Sequence, residues 1–366
     1  MIDRALQLAA AGRLAPPPNP AVGCVICAPN GVVLGQGHTQ RAGGPHAEIV
    51  ALEDARARGH SVNGATAYVT LEPCSHHGRT GPCCDALIGA GIKKVFASIA
   101  DPNPLVSGQG FEKLRAAGVE VEVGPGAEES RELNIGFFSR MTRQTPWVRM
   151  KIAASLDGKT ALENGKSQWI TGEAARSDGH AWRARSCVVL TGIGTVLEDN
   201  PRLDVRLVDT PRQPHLVVVD SRLETPLDAL LFAPHRKLYV YAAQPNDEKQ
   251  AALEKRGATV IYLPGQTEST RGKVDLQAML ADLARREINE VHVEAGHRLN
   301  GSLIREGLVD EFLVYLAPKL IGQGRDMASF GPLADLASCV PLAFKSTHMV
   351  GQDLRILARI PGRDLF

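Results

Sequence analysis

The chain has 366 residues, 44% of them hydrophobic and 22% charged, the composition of an ordinary soluble globular protein with room for two domains. Its formal net charge is +1, and residues 1–144 hold 13 Lys+Arg against 13 Asp+Glu, which argues against a nucleic-acid partner held mainly by electrostatics. An 18-residue apolar run is missing, the opening Met1-Ile2-Asp3-Arg4-Ala5-Leu6 lacks a secretory layout, and seven cysteines are an odd number for a disulfide framework, so a cytoplasmic location without membrane spans is expected.

Residues 1–11 read as a helix closed by Gly12. A proline-rich turn follows, Pro16-Pro17-Pro18-Asn19-Pro20, in which the Asn19 amide is a candidate for reading a pyrimidine edge. Strands over 22–28 and 32–37 flank Pro29-Asn30-Gly31, a hairpin signal. Cys24 and Cys27 lie three apart on the first of these strands, so they face opposite sides and read as core residues.

An amphipathic helix is expected to begin near His46, a short apolar strand covers 67–71, and Pro82 opens another helix through Ile88. These elements frame the main motif, Pro45-His46-Ala47-Glu48 followed by Glu72-Pro73-Cys74-Ser75-His76-His77-Gly78-Arg79-Thr80-Gly81-Pro82-Cys83-Cys84-Asp85. One imidazole, a carboxylate two residues on and two later prolyl-cysteines form the pattern of zinc-dependent nucleobase deaminases. His46, Cys74 and Cys83 would supply three ligands to one zinc ion, and water would take the open fourth place. Such a water ionises near neutrality, while Glu48, off the metal, carries its proton to the departing amine. The product side is an oxo-pyrimidine and ammonia.

Eight residues separate Cys74 from Cys83, where the usual deaminase pattern has two. The insert offers His76, His77 and Arg79 as donors to a phosphate or ring substituent. Cys84 points elsewhere on its helix and is not taken as a ligand.

Beyond the motif the sequence predicts a strand over 95–99, the loop Asp101-Pro102-Asn103-Pro104, a helix over 110–117, a strand over 119–123 and a helix over 128–140. Strands alternating with helices imply an α/β/α layer. Composition breaks at Met141-Thr142-Arg143-Gln144-Thr145-Pro146, which places a domain boundary near residue 145. The second half is again α/β, with strands at 147–153, 188–190, 216–219, 238–241, 259–262, 291–293 and 312–316, a helix at 276–286 and a terminal hairpin within 348–360. Gly192-Ile193-Gly194 is too short for a dinucleotide fingerprint. The run from Gly296 to Ser302 is the better phosphate cradle, since amides at a helix start bind anions.

Through these motifs the chain resembles one family over essentially its full length, the bifunctional pyrimidine deaminase/reductases of riboflavin biosynthesis. The first half matches through the 72–85 motif with its long insert, Pro18-Asn19-Pro20-Ala21-Val22-Gly23 and Asp101-Pro102-Asn103-Pro104. The second matches through Lys151-Ile152-Ala153-Ala154-Ser155-Leu156-Asp157-Gly158-Lys159, Ser167-Gln168-Trp169-Ile170-Thr171, Thr195-Val196-Leu197-Glu198-Asp199-Asn200-Pro201 and Val293-Glu294-Ala295-Gly296. The resemblance implies a cytidine-deaminase-like α/β/α domain over 1–145 with one zinc ion per chain. It implies a dihydrofolate-reductase-like α/β domain over 146–366 that uses NADPH.

It further implies that Ala153, Trp169, Thr195, Asp199, Ser221 and the run Gly296-His297-Arg298-Leu299-Asn300-Gly301-Ser302 contact NADPH. Ser167, Arg183, Leu203, Arg206 and Glu294 would contact the sugar-phosphate substrate, with Lys151 nearby and the two arginines neutralising phosphate. Asn19, Arg79 and Asn103 are the candidate substrate contacts of the first half. The expected reactions are hydrolysis of the 2-amino group of 2,5-diamino-6-ribosylamino-4(3H)-pyrimidinone 5′-phosphate, then reduction of the ribosyl group of 5-amino-6-(5-phosphoribosylamino)uracil to ribityl. The expected partner is this small phosphorylated pyrimidine, and the expected assembly a homo-oligomer, dimer or tetramer. One departure stands out: the family often has a histidine seven residues before the zinc histidine, where this chain has Thr39, with His38 one step earlier.

Two other readings compete. One is a deaminase of free cytosine, cytidine or guanine whose second half is a structural or oligomerising module; the other is a non-catalytic zinc protein in which the metal only staples the fold. Glu48 speaks against the staple, because a structural site is closed by four ligands and needs no base.

Overall fold

The computed structural model describes residues 1–14, 18–76, 81–104, 106–233 and 235–366. They divide into two compact units, Met1–Gln144 with Phe366, and Thr145–Leu365. Among the described residues no helix is long and apolar enough to cross a membrane.

The first unit runs α1 (Ile2–Gly12), β1 (Gly23–Cys27), β2 (Val33–His38), α2 (Ala47–Ala57), β3 (Thr66–Val69), α3 (Cys83–Gly89), β4 (Lys94–Ala97), α4 (Gln109–Ala116), β5 (Glu120–Val123), α5 (Ala127–Leu133) and α6 (Ile135–Arg143). Its sheet has the order β2-β1-β3-β4-β5. Strand β1 is antiparallel to β2 and β3, while β3, β4 and β5 run parallel. Both faces of β1 are buried: Cys24 and Ile26 join the main core, and Val25 and Cys27 join a smaller cluster with Ala5. The two cysteines thus face opposite sides, as their spacing predicts.

Small residues seat α2 on the sheet. Ala47, Ala51 and Ala55 are fully buried, and a Cβ on Gly35 would lie 2.2 Å from the Ala51 carbonyl oxygen. Any side chain there would lift the helix, and His46 and Glu48 with it. The helix expected over 128–140 is instead two, broken at Asn134. The Asn134 Oδ1 accepts from the Ala21 N–H at 2.7 Å and its Nδ2 donates to the Ala21 carbonyl at 2.9 Å. Such side-chain bonding to distant backbone competes with helix continuation, and here it braces the chain as it enters β1.

The second unit runs β6 (Trp147–Ser155), β7 (Lys159–Leu162), α7 (Glu173–Arg185), β8 (Val188–Gly192), α8 (Ile193–Asp199), β9 (His215–Val219), β10 (Leu238–Ala242), α9 (Asp247–Lys255), β11 (Ala258–Tyr262), α10 (Leu276–Arg285), β12 (Glu290–Val293), α11 (His297–Arg305), β13 (Glu311–Ala317), β14 (Gly324–Asp326), β15 (Ala343–Val350) and β16 (Asp353–Arg359). Nine strands form one sheet in the order β11-β10-β9-β8-β12-β6-β13-β16-β15. Pairing is parallel as far as β13 and antiparallel over the last two steps. Strands covered on both faces need continuous apolar runs, and Val188-Val189-Leu190 and Leu216-Val217-Val218 supply them, all fully buried.

Four adjacent strands break that rule with a buried row of charge. Arg149 on β6 pairs with Glu290 on β12 at 2.8 Å and with Glu311 on β13, and Arg359 on β16 pairs with Glu311 at 2.9 Å. The strand register sets Glu311 opposite both Arg149 and Arg359. Buried charges persist only when paired, and here the sheet itself does the pairing.

Candidate functional site

His46 is the N-cap of α2, with extended backbone (φ −75°, ψ 165°), and Glu48 falls in that helix's first turn. Cys83 opens α3, and Cys74 lies on the segment that leaves β3. Folding brings one donor atom from each of His46, Cys74 and Cys83 within 4.8 Å of the others. The imidazole presents Nδ1 to both sulfurs, 3.6 Å from Cys74 Sγ and 3.4 Å from Cys83 Sγ, and the Cys83 N–H donates to Cys74 Sγ at 3.3 Å. A hydrogen bond from the Cys83 thiol lowers the Cys74 thiol to about 4, with burial opposing and His46 assisting. The same bond pushes Cys83 up. One imidazole nitrogen and two sulfurs, one readily ionised, fit the ligand preferences of zinc. Glu48 stands beside this set and outside it, 4% exposed, and burial pushes its carboxyl up to about 7.

Around the donors, Cys84 turns away as its helical phase predicts and donates Sγ–H to the Pro73 carbonyl at 3.1 Å. Asn103 is half-buried, and its N–H donates to Asp101 Oδ1 at 2.8 Å. Asn19 is half-buried on the approach to β1, and His76 is exposed and outside the donor set. His77 and Arg79 lie outside the described residues. Thr39 is committed to the fold: its Oγ1 accepts from the Val22 N–H at 3.2 Å.

The second unit holds a cavity of about 540 Å³ at the carboxyl ends of β8 and β12, the usual place for ligands in open α/β sheets. All six second-half residues expected to meet substrate line it: Lys151, Ser167, Arg183, Leu203, Arg206 and Glu294. So do Ala153, Trp169, Thr195, Asp199, Gly296, His297 and Asn300 from the expected NADPH set. The rest of the 296–302 run follows helical phase, since α11 begins at His297. Leu299 packs against the core, a Cβ on Gly301 would lie 1.9 Å from the Ser329 carbonyl oxygen, and Ser302 Oγ donates to the Arg298 carbonyl at 3.2 Å. Ser221 is not in the cavity wall; its Oγ accepts from the Val274 N–H at 3.3 Å.

Glu294 is the centre of charge in this cavity. Arg183 donates Nε–H to Oε1 at 2.7 Å and Nη2–H to Oε2 at 3.0 Å, and its Nη1 donates to the Asp204 carbonyl. Lys151 Nζ lies 3.7 Å from Oε2, and His292 Nε2 lies 3.5 Å from Oε1. Burial opposes ionisation, yet Arg183 and Lys151 hold the Glu294 carboxyl well below the usual carboxylate range. Glu294 is therefore an acceptor of hydrogen bonds, with Arg183 as its counter-ion.

Sequence reasoning passed over three further cations in the wall, Arg176, Arg202 and Arg325. Arg202 alone gave a signal, by adjoining Asn200-Pro201 and Leu203. Arg176 sets its guanidinium 4.6 Å over the ring of Trp169, which is 62% exposed. A cavity of this size, walled by cations and by the start of α11, fits an anionic dinucleotide.

Comparison with known proteins covers both units. The model of the RibD C-terminal domain matches residues 146–356, and that of the cytidine and deoxycytidylate deaminase zinc-binding region matches residues 1–99. The riboflavin biosynthesis protein RibD of Escherichia coli (strain K12) is 42% identical over 360 residues, 96% of each chain. That of Aquifex aeolicus (strain VF5) is 40% identical over 339 residues, 93% of this chain and 92% of its own. Among solved structures, Acinetobacter baumannii RibD, form 1, matches with a TM-score of 0.87 at 40% identity, covering 98% of this chain and 97% of that one. The diaminohydroxyphosphoribosylaminopyrimidine deaminase/5-amino-6-(5-phosphoribosylamino)uracil reductase of Thermotoga maritima matches at 0.84 and 32% identity with the same coverage. With relatives this similar over nearly the whole length, the chain belongs to the RibD family of bifunctional deaminase/reductases of riboflavin biosynthesis.

Proposed function

We propose that residues 1–145 deaminate the diaminopyrimidine ribotide and that residues 146–366 reduce the aminouracil product. The observation that carries this reading is the meeting of His46, Cys74 and Cys83 within 4.8 Å, beside a buried Glu48 that is not one of them. His46, Cys74 and Cys83 would hold zinc, which would supply the Lewis acidity that lets water lose a proton near neutrality. Glu48 takes that proton and returns it to the 2-amino group, which leaves as ammonia. Asn19, Arg79 and Asn103 orient the pyrimidine and its phosphate.

In the second unit Ala153, Trp169, Thr195, Asp199, Gly296, His297 and Asn300, which line the cavity, would hold NADPH, which would supply the hydride. Glu294, kept ionised by Arg183, accepts hydrogen bonds from the ribosyl hydroxyls together with Ser167 and the chain at Leu203. Arg206 neutralises the phosphate. Hydride addition at C1′ of the opened ribosylimine leaves its nitrogen in need of a proton, and Lys151, the ammonium nearest Glu294, provides it.

Incubation of the protein with the diaminopyrimidine ribotide tests both halves. One equivalent of ammonia and an unreduced aminouracil are expected without NADPH, and the ribityl product with it. Failure to release ammonia from zinc-loaded protein rejects the reading.

The same reading includes a homo-oligomer, dimer or tetramer, in the cytoplasm. Strand β15 is an edge of the nine-stranded sheet, and Phe344 and Met349 on it are 73% and 65% exposed, an apolar edge of the kind proteins cover. All seven cysteines are free, as a reducing compartment requires. A monomer mass by light scattering would remove the assembly.

A further inference from the structure

We propose that Glu72 is a positioning residue for the deamination, locking the segment that carries Asn103 to the segment that carries Cys74. This rests on the reading above, in which Asn103 meets the pyrimidine and Cys74 holds zinc. Glu72 stands two residues before Cys74 and is 4% exposed. A carboxylate so buried requires partners, and Glu72 takes them from backbone. Its Oε2 accepts from the N–H groups of Asp101 at 3.1 Å and Gly108 at 2.9 Å, and its Oε1 from that of Gly110 at 2.8 Å.

The tie extends on both sides. Asp101, held through its own N–H, turns Oδ1 onto the Asn103 N–H at 2.8 Å, so the residue Glu72 grips fixes the one that bears the amide. At the other end Gly110 approaches the ligand segment so closely that a Cβ would lie 2.1 Å from the Pro73 carbonyl oxygen. Cys84 Sγ bridges the same two strands of chain, 3.1 Å from the Pro73 carbonyl oxygen and 3.5 Å from that of Gly110. The residue type is specific to the task. Both carboxylate oxygens accept, whereas a glutamine would aim N–H at N–H on one side. Bonds from backbone N–H to a carboxylate are the stronger kind, and a misplacement of about 1 Å in a substrate-orienting group costs up to about 100-fold in rate.

The test uses the full chain with Glu72→Gln, Gly110→Ala and Asn103→Ala. Ammonia release from the diaminopyrimidine ribotide, zinc content, and NADPH-dependent reduction of the aminouracil ribotide are measured on the same preparations, with zinc content reporting the fold of the first unit and reduction that of the second. Glu72→Gln and Gly110→Ala are expected to raise the deamination KM about tenfold or more, as Asn103→Ala does. Zinc stays at one per chain, reduction is unchanged, and amide exchange at Asp101, Gly108 and Gly110 quickens in Glu72→Gln. A raised KM in Asn103→Ala with none in Glu72→Gln overturns the proposal. Zinc lost from Glu72→Gln in step with activity overturns it too, since Glu72 would then serve only the ligand segment. An Asn103→Ala enzyme with unchanged KM refutes the substrate contact and the positioning that depends on it, while ammonia release by the parent enzyme keeps the deaminase reading standing.

Discussion

The first unit gathers three donor atoms within 4.8 Å beside a buried carboxyl group, whereas the second holds a cavity of about 540 Å³ walled by Lys151, Arg176, Arg183, Arg202, Arg206 and Arg325. Hydrolysis needs one ion, one water and one base, all small, and a dry enclosure strengthens each interaction among them. Hydride transfer needs two large anions side by side, so the chain provides width and positive charge, and of the acids in the wall Glu294 is paired with Arg183 and Glu198 with Arg325. Chemistry that depends on side-chain identity compresses into a few dozen residues. Chemistry that depends on shape is spread from Lys151 to Arg325.

The strongest test of that contrast is a double dissociation. Cys74→Ala should abolish zinc binding and ammonia release and leave NADPH-dependent reduction of the aminouracil ribotide intact, as assayed by metal analysis and nicotinamide absorbance. Loss of both activities together would mean the sites are not independent. Next in size, Glu48→Gln should keep zinc and lower deamination by about 10²–10⁴-fold, and a variant with full ammonia release would remove Glu48 from the chemistry. In the other half, Arg183→Ala strands the buried Glu294 and should destabilise the second unit by about 3–5 kcal/mol. Reduction falls with it, while deamination persists below the new melting temperature.

The smallest effect is in pH. His180 and His215 accept backbone N–H groups at Nδ1, from Arg206 and Lys237, both at 3.1 Å, and burial lowers each from 6.5 to about 4. Between those values the unfolded chain binds protons that the folded chain refuses, so these groups make the second unit more stable as pH rises from about 4 to 6.5. Asp101 in the first unit is pushed by burial from 3.8 up to about 6. There the folded chain keeps a proton that the unfolded chain has released, and that contribution to stability fades as pH rises through the same range. Amide exchange followed separately in the two units at pH 4.5 and pH 6 should show opposite trends for these groups, and trends of one sign would break the contrast.

The same division governs what is legible in the sequence. His46, Glu48, Cys74 and Cys83 stand out because coordination and proton transfer dictate both residue type and spacing. Strands β8 and β9 stand out as unbroken apolar runs. Helix α7 does not, because the face it buries is Ala175, Gly179, His180, Arg183 and Ala184, with no apolar stripe. The Arg183–Glu294 pair spans 111 residues, a distance over which pattern carries no information, and only family resemblance drew attention to either residue. Asn134 reads as a tolerable helix residue until its amide is seen bound to Ala21. Within the 296–302 run, helical phase decides which residues reach the cavity, and a run read as a loop has no phase.

The row of charge through β12, β6, β13 and β16 has a consequence for how this protein can change over time. Altering Arg149 or Glu311 alone leaves opposite charges marooned in the interior, at a cost of about 3–5 kcal/mol, while exchanging the whole row for well-packed apolar side chains costs little. Single substitutions therefore descend into a valley between two workable states. Descendants of this chain should keep the four positions intact or swap them as a block, long after the surface around them has diverged.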